Sequence, residues 1–167
     1  MSALQRPYRP NVGIALFDRD GLVLVGRART SGPELIVPGF EWQCPQGGID
    51  EGEDIEAAAR RELWEETNVR SVELLAEAPD WYSYDLPEEM VGGGWTQHYR
   101  GQTQKWFAFR LTGPESEIDV DRPGNGRFKP EFDQWRWEKL ERLPEIVIPF
   151  KLGVYRSVVA AFRPLAA

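Results

Sequence analysis

Residues Gly47 to Val69 constrain this chain more than any other stretch, because they join two glycines, a helix-forming run and three glutamates in a fixed order. At about 100° per residue, a helix from Glu56 to Thr67 brings Glu62, Glu65 and Glu66 within an arc of roughly 100°. Like charges at three- and four-residue spacing repel, and the last turns of a helix already disfavour carboxylates through the macrodipole. Ile55, Ala58, Ala59 and Leu63 lie on or beside the side that carries Glu62 and Glu66, whereas Arg60 and Trp64 point away. The carboxylates therefore extend the apolar stripe instead of opposing it. Half-buried like charges need protons or divalent cations. An oxygen-only set, with no His or Cys inside the stretch, suits Mg²⁺ or Mn²⁺ better than zinc. A solvated acidic face is the competing reading.

Composition narrows the setting. A chain of 167 residues with 41% hydrophobic content buries one core, so a single domain over residues 1–167 is expected. No apolar run follows Met1 and no window approaches the length of a membrane span, which predicts a soluble, cytoplasmic protein without a membrane partner. The lone Cys44 excludes an internal disulfide and reads as a small buried hydrophobe beside Trp42. A net charge of −7 disfavours duplex DNA, whose binding depends on many Lys and Arg contacts to phosphate. It leaves open a phosphate substrate reached through bound metal ions, which would reverse the local field. His98, the only histidine, leaves His-based triads without partners and is assigned to the surface. The oligomeric state stays open, and a monomer is compatible with the sequence.

Along the chain, Asn11 to Phe17 reads as a strand, Asp18 to Gly21 as a turn, and Leu22 to Gly26 as the return strand of a hairpin. A loop from Ala28 to Phe40, carrying Pro33 and Pro38, leads to an extended segment Glu41 to Pro45, the glycine loop and the carboxylate helix. Asn68 closes that helix in the left-handed cap conformation. Ser71 to Glu77, Trp81 to Leu86, Lys105 to Leu111 and Phe132 to Trp137 read as further strands, and Leu152 to Phe162 as an amphipathic terminal helix. The Gly92-Gly93-Gly94 excursion lacks the lysine and hydroxyl of a P-loop, and Asp119-Val120-Asp121 lacks the closing glutamate of a calcium loop. Without a strict βαβ repeat, this order predicts helices on both faces of a mixed sheet.

Gly47, five residues, Glu53, seven residues, Arg61-Glu62-Leu63, one residue, Glu65-Glu66, one residue, Asn68-Val69 resembles the Nudix box. The family pattern has glycine where this chain has Asn68. Because Asn tolerates the same cap geometry, a small stability cost and intact chemistry are expected. Tyr8 to Gly13, Trp42 to Gly48, Gly101 to Phe107, Glu131 to Trp137 and Ile148 to Lys151 are similar to the branch containing bacterial RNA pyrophosphohydrolases and plant-type dinucleoside polyphosphate hydrolases. The resemblance thus spans nearly the whole chain and implies an α+β fold, a Nudix-like α/β/α sandwich with a mixed central sheet.

It also implies Mg²⁺- or Mn²⁺-dependent hydrolysis of a phosphoanhydride, with Glu62, Glu65 and Glu66 as metal ligands and Glu131 as the family's additional one. The Gly47 carbonyl fits the same oxygen-only ligation. Glu62 or Glu65 is placed to take a proton from metal-activated water, Glu62 being preferred. Arg61 adjoins the cluster and pairs with Glu53, tying the loop to the helix so that ligands are oriented; a surface arginine is the alternative. Gly48, with Gly47, lets the backbone approach the metals or merely turns the chain. Tyr84 and Phe150 match positions that stack on a base, or they pack in the core. Arg9, Lys105 and Lys151 are phosphate candidates, or solvated charges. Trp106 and Phe107 belong to the core. The implied partners are a nucleotide or an RNA 5′ end: triphosphorylated RNA and dinucleoside polyphosphates such as diadenosine tetraphosphate compete. Asp85-Leu86-Pro87 and the glycine-rich loop stand closer to the dinucleoside hydrolases. A non-catalytic nucleotide-sensing module and an oxidised-nucleotide housecleaning hydrolase are the other readings.

Overall fold

A computed structural model describes residues 3–30, 35–90 and 94–167. Among them one mixed sheet contains β1 (Tyr8–Phe17), β2 (Val23–Ala28), β3 (Trp42–Gln43), β4 (Gln46–Gly48), β5 (Val72–Asp85), β6 (Gly101–Leu111) and β7 (Phe132–Glu138). Two helices of more than two turns accompany it, α1 (Ile55–Thr67) and α2 (Leu152–Phe162). Strand β1 is the axis. It runs parallel to β6 from Tyr8 opposite Gly101 to Phe17 opposite Arg110, and β6 pairs antiparallel with β5. On its other side β1 meets β2 only at Phe17 opposite Val23. Beyond that point the two strands part, and residues 42–48 fill the gap, β3 pairing with β2 and β4 with β1. The Ile14 N–H donates to Pro45 O (3.0 Å) in the same wedge.

Alternation along the strands sends side chains to both faces. Val12, Ile14, Leu16, Phe107 and Phe109 pack with Ala58, Ala59 and Leu63 of α1. Ala15, Phe17, Trp106 and Ala108 pack on the opposite face with Val154, Tyr155, Val158 and Phe162 of α2. The result is the expected α/β/α sandwich. Gly13 is required by this packing, since a β-carbon there would run into the Trp106 indole. The Cys44 N–H donates to the Tyr155 hydroxyl (2.9 Å), which fastens the wedge to α2. Cys44 is buried, as expected, and burial pushes its thiol up to about 12.

Several boundaries differ from the sequence reading. Ser71–Glu77 and Trp81–Leu86 form one strand instead of two, with a register shift between Glu77 and Trp81, where Pro79 has no N–H for the ladder. Gln46–Gly48 is a short strand, because the parting of β1 and β2 leaves an open edge for it. Strands β1 and β6 begin at Tyr8 and Gly101, earlier than apolar alternation suggests, since their first residues include the polar register pairs Arg9–Gln102 and Asn11–Gln104. Pro33, Gly92 and Gly93 lie outside the described residues. Helix α2 has the expected bounds.

Helix α1 is capped at both ends. Asp54 accepts from the Ala57 N–H (3.0 Å), and Asn68 adopts φ 71° in the left-handed region. Asn68 does more than tolerate that conformation. Its Nδ2 donates to Glu117 O (3.2 Å) and its Oδ1 accepts from the Asn125 N–H (2.8 Å), two bonds a glycine cannot make. Glu117 in turn accepts from the Arg70 and Ser71 N–H groups (3.1 and 3.0 Å) and from the Ser71 hydroxyl (2.7 Å). Partial burial pushes the Glu117 carboxyl up, but the bonds from Ser71 and Arg70 outweigh it and hold the group below its ordinary value. A lowered folded pKa stabilises above the unfolded value, about 4.3, and the benefit disappears as pH falls through the folded pKa. Urea unfolding of a Glu117→Gln variant should therefore show a loss of about 1–2 kcal/mol at pH 7. The difference from the parent shrinks below about pH 4, and a gap independent of pH would refute this account.

Candidate active site

The turn from Gly48 to Asp54 and helix α1 converge on one guanidinium. Arg61 donates through Nε and Nη2 to Glu53 (2.8 and 3.0 Å), through Nη2 to Gly48 O (2.8 Å), and through Nη1 to Glu62 and Glu65 (2.8 and 3.2 Å). The planar fork suits this task, since two donors meet one carboxylate while the rest reach elsewhere. The tie between Arg61 and Glu53 expected from the sequence is present. Glu53 also accepts from the Asp50 N–H (3.0 Å), so the loop is closed on itself before it is locked to the helix. The bond from Arg61 holds the Glu53 carboxylate below its ordinary range.

Glu66 is buried, and Glu62 is nearly so, with its side chain 12% exposed. Burial pushes the Glu62 carboxyl up to about 7, against the pull of Arg61 and with the push of Glu65. Such a group asks for positive charge or a proton. Gly47 lies directly beside it, and a β-carbon at Gly47 would collide with the Glu62 carboxyl group. One at Gly48 would collide with the Arg9 guanidinium. The paired glycines thus serve close approach, and both lie in β4. As the side chains stand, no three His, Cys, Asp or Glu side chains among the described residues are gathered closely enough to grip a metal ion. Arg61 engages Glu62 and Glu65 through one oxygen of each. The donor chemistry, carboxylates with a neighbouring carbonyl, nevertheless fits a hard divalent cation.

These groups open onto a cleft of about 1000 Å³. It is lined by Arg9, Gly47, Gly48, Glu62, Glu65, Glu66, Tyr84, Glu131, Phe150 and Lys151, so most of the sequence-predicted residues are brought together. Glu131 enters from the residue before β7, its carbonyl fixed by the Arg29 N–H (3.3 Å). Tyr84 and Phe150 form an aromatic wall with ring centroids 5.5 Å apart. Lys151, buried, donates to Gln43 Oε1 (3.1 Å) with its ammonium 5.5 Å from the Tyr84 ring centroid. Lys105 does not line this cleft. Its register opposite Val12 puts it on the α1 face of the sheet, where it pairs with Glu77 (3.6 Å). On the far side of α1, Arg70 lies 3.9 Å from the Trp64 ring centroid, which covers the face that points away from the carboxylates.

Sequence reasoning did not assign roles to the amides of the cleft: Asn11, Gln43, Gln46 and Gln102 line it as well. A signal was available, for Gln102, Gln104 and Trp106 alternate in one strand and so share a face with a core tryptophan.

Residues 7–158 match the NUDIX domain family, and the chain belongs to that family. It is 55% identical over 160 residues to the RNA pyrophosphohydrolase of Bradyrhizobium sp. (strain ORS 278), covering 96% of this chain and 95% of that one. It is 56% identical over 160 residues, with the same coverage, to the RNA pyrophosphohydrolase of Azorhizobium caulinodans. Among solved structures, the Caenorhabditis elegans Ap4A hydrolase in a binary complex superposes with a TM-score of 0.62 at 18% identity, covering 93% of this chain and 98% of that one. The Escherichia coli dihydroneopterin triphosphate pyrophosphohydrolase gives 0.63 at 18% identity, covering 93% and 100%. These two share the fold. No helix among the described residues is long and apolar enough to cross a membrane.

Removing the guanidinium leaves Glu53 and Gly48 O without their shared donor. Arg61→Ala should cost about 2–3 kcal/mol in urea unfolding, and Arg61→Lys should recover less than half of it, because an ammonium cannot make the fork. Equal stability of Arg61→Ala and the parent would contradict the role given to this residue.

Proposed function

We propose that this protein is a divalent-metal-dependent pyrophosphohydrolase that removes phosphates from the 5′-triphosphorylated end of RNA. The observation that carries the reading is the cleft itself, lined both by the aromatic pair Tyr84 and Phe150 and by Glu62, Glu65, Glu66, Glu131 and Gly47. Relatives at 55% and 56% identity, matched over almost their whole length, bear the name RNA pyrophosphohydrolase, which favours RNA over dinucleoside polyphosphates.

In this reading Glu62, Glu65, Glu66 and Glu131 hold Mg²⁺ or Mn²⁺ together with the Gly47 carbonyl. The ions supply charge neutralisation at the leaving phosphate and a more acidic water. Glu62 takes the proton of the attacking water, its burial having raised its basicity toward neutral pH. Arg61 orients Glu62 and Glu65 and does not touch the substrate. Arg9 and Lys151 meet phosphate or base from the cleft walls, and Tyr84 with Phe150 stacks on a base. Lys105 is left out of this reading, since it lies on the α1 face of the sheet beside Glu77 and outside the cleft lining. An acidic chain suffices, because only the first nucleotides have to be gripped and the cations counter the local field.

The test is a panel of triphosphorylated RNA, diadenosine tetraphosphate, ADP-ribose and an oxidised dNTP, each with Mg²⁺. Triphosphorylated RNA should be processed fastest, and Glu65→Gln should lower its turnover by about 10²-fold or more while the thermal midpoint is kept. Preference for another member of the panel would replace the substrate assignment. Inactivity toward all of them would refute the enzyme reading.

A further inference from the structure

The floor of the cleft carries a hydrogen-bond chain whose polarity is fixed by one atom. An indole Nε1 only donates, so the bond from Trp106 Nε1 (3.1 Å) identifies the oxygen of Gln104. The Gln104 NH₂ group must then donate, and it does, to Asn11 Oδ1 (2.9 Å) and to Gln46 Oε1 (3.3 Å). Asn11 is thereby held with its own NH₂ turned away from Gln104. That nitrogen is buried and has no hydrogen-bond partner. The oxygen of Gln102, two residues before Gln104 on the same strand face, is likewise buried and unpartnered. Asn11 and Gln102 are 0% and 4% exposed, and both line the cleft. An unmet donor and an unmet acceptor, each out of water, is a costly arrangement unless a ligand completes it.

Their place defines what that ligand presents. Asn11 sits opposite Gly48 of β4, beside the carboxylate end of the cleft, while Gln102 sits opposite Tyr84 of β5, at the aromatic end. Asn11 pairs with Gln104 across β1 and β6, and Gln102 stands two residues earlier on the same face of β6, so one small group lodged between them can meet both. A lone donor and a lone acceptor suit a hydroxyl, which gives one hydrogen bond and takes another. Phosphate oxygens only accept at neutral pH and would face the Gln102 oxygen unfavourably. In a nucleotide the group between polyphosphate and base is the ribose, and within an RNA chain its free hydroxyl is the 2′-OH.

The geometry points to Asn11 Nδ2 and Gln102 Oε1 as a reader of the ribose 2′-hydroxyl at the 5′ end of the substrate, with Trp106 and Gln104 as the residues that orient it. A 2′-OH, both donor and acceptor, is the group by which a site distinguishes RNA from DNA. The inference rests on the pyrophosphohydrolase reading above for the identity of the ligand, and its test separates the two.

A short 5′-triphosphorylated RNA is compared with the same strand carrying 2′-deoxyribose at its first two nucleotides, both with Mg²⁺. Rates are measured as release of pyrophosphate and phosphate, and dissociation constants on versions with a non-hydrolysable triphosphate. The wild-type protein should favour the ribo strand by about tenfold or more in kcat/KM and in Kd. Gln102→Met, close in shape but without the acceptor, should bring that preference to within about twofold. The wild-type comparison stands even if the variant does not fold. Equal handling of both strands by the wild type, or an undiminished preference in folded Gln102→Met, overturns the assignment while leaving the hydrolase reading intact. Hydrolysis of neither strand with tighter binding of the ribo strand refutes the hydrolase reading and keeps the ribose site; hydrolysis of neither with equal binding removes both.

Discussion

One guanidinium holds the chemistry of this protein together. Arg61 reaches Glu53, the Gly48 carbonyl, Glu62 and Glu65 at once, so a loop, a strand end and a helix are fixed by a single planar group. A carboxylate cluster at the end of a helix repels itself and opposes the macrodipole. Arg61 offsets that cost from within the helix. It leaves the opposite side of the carboxylates facing the cleft, where the raised basicity of Glu62 adds to the demand for a cation.

The sheet provides the space in which this demand can be met. Strands β1 and β2 share only one register pair before they part, and the segment from Trp42 to Gly48 enters between them. That wedge brings Gly47 against Glu62 and Gly48 against Arg9, contacts that any larger residue would block. It is anchored from the other face by the bond of Cys44 to Tyr155, so α2 contributes to the position of a site it does not itself form. Nearby, Phe150 and Lys151 just before α2 complete the aromatic end of the cleft beside Tyr84.

Much of this was legible in the sequence where the signal is local. The face carrying Glu62, Glu65 and Glu66 followed from helical periodicity, the pairing of Arg61 with Glu53 from their spacing in the box, and the bounds of α2 from its apolar stripe. What stayed hidden depends on the partner strand. Gln46–Gly48 becomes a strand because β1 has an open edge, and β5 stays continuous through Pro79 because β6 holds it on both sides of the irregularity. Lys105 reads from its charge alone as a phosphate candidate or a solvated surface cation, and strand alternation sends it to the α1 face with Glu77. The departure at Asn68 read as a modest loss, but its amide ties α1 to the segment bearing Glu117 and Asn125, contacts that no local pattern encodes.

The central claim is that Arg61 pre-arranges a cation site whose ligands face the cleft. Anomalous diffraction from crystals soaked in Mn²⁺ tests it most directly. The account predicts density between the Gly47 carbonyl and the carboxylates of Glu62, Glu65 and Glu66, with Arg61 still joined to Glu53. Manganese bound only elsewhere, or bound there with Arg61 released from Glu53, would contradict it.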